Sequence, residues 1–106
     1  MRGLNTRIAA TFAFTVAIMC CSGGSDQPLV AAGNAATEQM TKAMAIRPSG
    51  DADRDFVALM VPHHEGAIAM AQAELRYGKN EQLRRMAQEI VVTQQQEIAT
   101  MRMALR

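Results

Sequence analysis

Residues 53–77 run DRDFVALMVPHHEGAIAMAQAELRY, and the spacing of their apolar side chains predicts one long amphipathic helix. At about 100° per residue, Asp53, Phe56, Val57, Met60, His63, His64, Ala67, Met70, Ala71, Glu74 and Leu75 fall within an arc of about 140°. His63 and His64, the two histidines of the chain, are therefore expected on the core side of that helix. Asp51 or Asp53 can cap its start and Gly78 can end it. Pro62 removes one backbone hydrogen bond from the interior and should kink the axis, widening the space around the histidines.

Working outward, Asn80 is a good N-cap for a second long helix running towards Leu105. Its apolar stripe is Leu83, Met86, Ala87, Ile90, Ile98, Met101 and Leu105, and two polar residues, Gln94 and Glu97, interrupt it. The opposite face, with Arg84, Arg85, Gln88, Gln95 and Arg102, reads as solvated surface. Upstream, Ala31 to Ile46 is alanine-rich with Met40 and Met44 four apart, a shorter helix that Arg47-Pro48-Ser49-Gly50 stops. Nothing alternates as a strand does. The expected fold is all-α, a ferritin-like antiparallel helical bundle of two long helices covered by a shorter N-terminal one. So few residues are near the lower limit for a self-sufficient core, so completion of the bundle as a homodimer is an open expectation.

The chain has 106 residues, enough for one domain. Arg2 and Arg7 make a basic start, and the uncharged run Ile8 to Met19 is twelve residues long. A bilayer takes roughly 20 apolar residues, so the run fits the apolar region of a signal peptide better than a membrane helix. Residues 1–24 are assigned to that signal and the start of a tether, 25–50 to the tether and short helix, and 51–106 to the hairpin. The tether extends from Ser22 to about Leu29. An exported protein of a periplasm or cell envelope follows, with no transmembrane span in the mature chain. A lipid anchor at Cys20 or Cys21 stays open beside the reading in which both cysteines are lost or idle. Cleavage beyond Cys21 leaves no thiol, which excludes disulfides, thiolate zinc sites and cysteine nucleophiles. Without Arg2 and Arg7, the eleven Lys/Arg fall to nine against ten Asp/Glu. Near-neutral charge and no basic patch exclude nucleic acid as an expected partner.

In a hairpin turning at Gly78-Lys79-Asn80, positions equidistant from the turn meet. His63 and His64 are thereby expected opposite Gln94 and Glu97. Converging polar groups in a core need one another, water or a metal, because each left unpaired costs about 1–3 kcal/mol. Imidazole and thioether suit Cu(I) and Ag(I), and two histidines with a carboxylate also suit Cu(II), zinc or iron. Met60 and Met70 are expected on the same face. Seven methionines lie between Met40 and Met103, which fits soft-metal binding without thiols, although methionines on an apolar helix face also serve as core filler.

Asp55-Phe56, Met60, the Pro62-His63-His64 step, Gly66-Ala67, Met70-Ala71, Ala87, Ile90, Gln94, Glu97-Ile98 and Met101 together resemble domain of unknown function family 305. That family comprises exported ferritin-like helical proteins and includes the CopM-type copper-binding proteins. The resemblance covers roughly Asp51 to Met103. It implies periplasmic or envelope metal binding, with His63, His64, Met60 and Met70 on one helix and Glu97, Gln94 and Met101 on the other. The chain departs from relatives in having no tryptophan after its last methionine and no Met/His-rich extensions.

Three functions compete at this point. The first is a non-enzymatic protein that binds copper, Cu(I) foremost, for sequestration, tolerance or transfer. The second is a structural or interaction bundle whose metal-free polar core sets helix register. The third is a ferritin-like di-metal oxidoreductase, which one protomer cannot supply because it lacks Glu-x-x-His. No nucleophile stands beside a base, so no catalytic residues are expected and hydrolase chemistry is unsupported.

Overall fold

The computed structural model describes residues 27–106 and is all-α. Helix α1 spans Gln27–Ala43, α2 Ala52–Tyr77 and α3 Glu81–Ala104. The signal, lipid-anchor and export readings fall on residues outside those described, as does most of the expected tether. Its last residues, Gln27 to Leu29, are helical instead, with Pro28 in the first turn, where its missing N–H costs nothing. The first helix also ends at Ala43 rather than Ile46, short of the Pro-Ser-Gly stop. No helix among the described residues is long and apolar enough to cross a membrane.

Each long helix starts where the sequence places its cap. The Asp51 carboxylate accepts from the N–H groups of Asp53 and Arg54 at 3.0 and 3.2 Å. The Asn80 side chain accepts from Gln82 and Leu83 at 2.9 and 3.1 Å. Gly50, at φ 88°, turns the incoming loop in a conformation that side chains rarely adopt. Ser49 then donates its N–H to Asp55 at 2.9 Å, so the loop is tied to the first turn of α2. This bond and that from the Ser49 side chain hold the Asp55 carboxyl below its ordinary pKa. Gly78 ends α2 in extended backbone, φ −70° and ψ 151°, rather than in the left-handed conformation common at helix ends.

The helices lie in a row with α2 central: α1 and α3 each pack on α2, and α1 makes no contact with α3. The short helix therefore covers one flank of α2 and not the hairpin, a correction to the expected arrangement. Small residues make that flank possible. A Cβ on Gly66 would stand 2.9 Å from the Met40 sulfur and 3.2 Å from its Cβ, so any larger residue would require Met40 to shift. Pro62 lies on this flank, beside Met40 and Ala43, and α2 is assigned as one helix through it.

Among the described residues the buried apolar core is Ala36, Ala71, Ala73, Ala87 and Ile98, with His64 its one polar member. No large side chain is fully buried. Phe56, Met70, Leu83 and Met86 are 56, 40, 49 and 52% exposed on the face that α2 and α3 share. Four alanines and one isoleucine are a thin core for three helices.

Candidate functional site

The hairpin brings His64 to Glu97, as counting outward from the turn anticipates. His64 is 8% exposed, and its Nε2 lies 2.7 Å from Glu97 Oε2. Gln94 donates to the same oxygen at 3.3 Å. The other ring nitrogen, Nδ1, is 2.8 Å from the main-chain carbonyl of Met60, one turn earlier. A carbonyl only accepts, so Nδ1 donates to it, and the other ring nitrogen, Nε2, is the one that faces the carboxylate. The ring is thus anchored by backbone and aimed by Nε2.

The two histidines part company at this point. The sequence places both on the core side, whereas His63 is exposed and only His64 is buried. Successive helical residues point about 100° apart, and the one turned into the α2–α3 seam is His64. Their rings meet edge-on with centroids 6.2 Å apart.

Phe56, Met60, His63, His64, Gln94, Glu97, Thr100 and Met101 line one open groove of about 550 Å³. Six of the seven residues expected to form the site are therefore together. Met70 is not among them. It lies farther along the same face in a second groove of about 340 Å³ with Ala67, Ala71, Glu74, Leu83, Met86, Ala87 and Ile90. Six residues separate it from His64, about 9 Å of helix rise, which carries its sulfur to another level.

Among the described residues no three His, Cys, Asp or Glu side chains converge on one point. The donor set within one chain is His64 Nε2, the exposed His63 ring, the Glu97 carboxylate, the Gln94 amide and the thioethers of Met60 and Met101. Of these, nitrogen and sulfur donors match soft cations. No buried side-chain nitrogen or oxygen among the described residues lacks a hydrogen bond.

Sequence reading missed one residue at the turn of the hairpin. Arg84, taken for solvated surface, is half-buried and donates Nη1 to the carbonyls of Leu75 and Gly78 at 2.6 and 3.1 Å. It satisfies carbonyls that the end of α2 leaves without helical partners. Its position four residues after Asn80, in the first turns of a helix opposite an uncapped end, is the signal that could have revealed it. Glu65 is a surface charge, pairing with Arg102 at 3.2 Å with both side chains more than half exposed.

A family model matches residues 20–105, nearly the whole described chain and a short stretch before it. The chain belongs to the family described as Domain of unknown function (DUF305). No curated protein matches the chain. The match takes in all three helices, and the family description assigns no activity.

Proposed function

We propose that this DUF305 protein is a non-enzymatic binder of a soft metal ion, Cu(I) foremost and Ag(I) by the same chemistry. His64 Nε2 is the central ligand. One observation carries the reading: the His64 ring is held through Nδ1 on the Met60 carbonyl, with Nε2 on Glu97 in a groove that Met60 and Met101 also line. Metal-ligating histidines characteristically donate their other ring N–H to such an acceptor, which fixes tautomer and aim. A metal ion would take the place of Glu97 at Nε2, with His63, Gln94 and Glu97 as further donors. Sequestration, tolerance or transfer in the periplasm or cell envelope, by a homodimer, is the role that this chemistry favours.

The satisfied polar contacts support a second reading, a bundle whose His64–Glu97 pair fixes helix register without metal. An anaerobic titration separates the two. Ag(I) or Cu(I) added to protein labelled at its methionine methyls should shift Met60 and Met101 and leave Met70 unmoved. His64→Ala should weaken binding at least tenfold. Equal affinity in His64→Ala, or no change in melting temperature between chelator and Ag(I), would favour the metal-free bundle.

A further inference from the structure

The exposed face of the hairpin has a spacing that one copy of the chain does not use. On α2, Phe56, Met60, His63, Ala67, Met70 and Glu74 follow one another at intervals of four, three, four, three and four residues. On α3, Leu83, Ala87, Ile90, Gln94, Glu97 and Met101 repeat the same intervals. That alternation of four and three is the heptad spacing at which helices in left-handed bundles interlock side chains. Both grooves open on this face, whereas Pro62, Gly66, Ala69 and Ala73 turn towards α1.

We propose that a second copy of the chain docks here, seam against seam, to close a four-helix bundle. The face is long enough: from Phe56 to Glu74 is about 27 Å of helix, and two adjacent helices are about 20 Å wide. About 500 Å² of projected face per copy reaches the roughly 1,000 Å² total that a specific interface needs. Neither seam carries a lysine or arginine, so no cation has to be buried.

The chemistry of the face also sets the register. The groove around His64 carries His63, Gln94 and Glu97, whereas the other groove is apolar apart from Glu74. Docking at opposite levels would press the first set against Met70, Leu83 and Met86 and leave it without partners. Docking at equal levels, about an axis parallel to the helices, sets like helices on the diagonal and α2 beside the partner's α3. His63 then meets the partner's Glu97 as His64 meets its own. Consecutive histidines thereby serve two carboxylates, one in each copy, and four rings with two carboxylates gather at one level of the bundle. The Glu97 side chain has room for this role, since only Oε2 bonds within its own chain.

The inference rests on the shape and polarity of the face, not on metal binding, so it is tested with a chelator present. Sedimentation equilibrium of the full chain should give twice the chain mass. Met70→Glu and Leu83→Glu, at exposed positions, should give single chains with unchanged helix content. His63→Glu, which sets carboxylate against the partner's Glu97, should weaken the dimer at least tenfold. A monomeric wild type would overturn the proposal, whether the chain's own first residues or a different protein then covers the face. Dimers that survive both Met70→Glu and Leu83→Glu would place the interface elsewhere, and dimers indifferent to His63→Glu would overturn the equal-level register.

Discussion

The two grooves on the α2–α3 face are built from the same two helices at the same spacing, yet one is aliphatic apart from Glu74 and the other carries two histidines, a glutamine and a glutamate. The aliphatic groove shows what the hairpin needs in order to form: Ala67, Ala71, Ala87 and Ile90 are sufficient there. The polar groove shows what has been added at some cost. His64 is buried and Glu97 half-exposed, and an ion pair drawn out of water is on average no better for stability than apolar packing, so the fold alone does not call for the two residues. Their presence is a matter of chemistry or of register.

Making the polar groove resemble its neighbour is the most severe test. Glu97→Ala should cost about 1–2 kcal/mol by leaving the buried Nε2 without its partner, with the half-exposed position admitting water and limiting the loss. Leucine at both 64 and 97 should recover most of that loss. Urea unfolding of the three proteins checks this, and an equal loss in single and double variants would mean that the pair contributes more than register. A smaller effect is expected at the far end of the aliphatic groove, where Arg84→Ala frees the carbonyls of Leu75 and Gly78. It should cost about 1 kcal/mol and speed amide exchange in the last turn of α2.

The smallest effect belongs to the loop beside the polar groove. Asp55 is partly exposed, with its pKa lowered by the hydrogen bonds from the Ser49 side chain and N–H. A carboxyl depressed in the folded state contributes stability above its unfolded pKa and loses it as pH falls through the folded value. Asp55→Asn should therefore be slightly less stable than wild type at neutral pH, with the gap closing in acid below the ordinary carboxylate range. A gap that is constant with pH would show that the Ser49 bonds do not depend on the charge.

Helix identity was legible in the sequence because the caps Asp51 and Asn80 and the apolar stripes are local signals. The meeting of His64 with Glu97 was legible too, since a short turn fixes which levels face each other. What escaped depends on rotation and on partners far along the chain. Which of two adjacent histidines is buried turns on how α2 is rolled against α3, and α1 seated on Gly66 occupies the other flank. Met70 was grouped with the histidines because an arc on a helical wheel records direction and ignores height. The placement of α1 on a single helix likewise follows from small residues, Gly66 and Ala73 among them, whose shape no periodicity reveals.

The hydrogen bond from His64 to the carbonyl of Met60 has a consequence for how such a site could diversify. Every residue at position 60 presents the same main-chain oxygen, so the aim of the ring is insensitive to the side chain there. On the proposed metal-binding reading, hardness and aim are encoded separately: the backbone orients the nitrogen, and the side chains at 60 and 101 would choose between soft and hard ions. Substituting oxygen donors at those two positions should retune metal preference without unseating the imidazole.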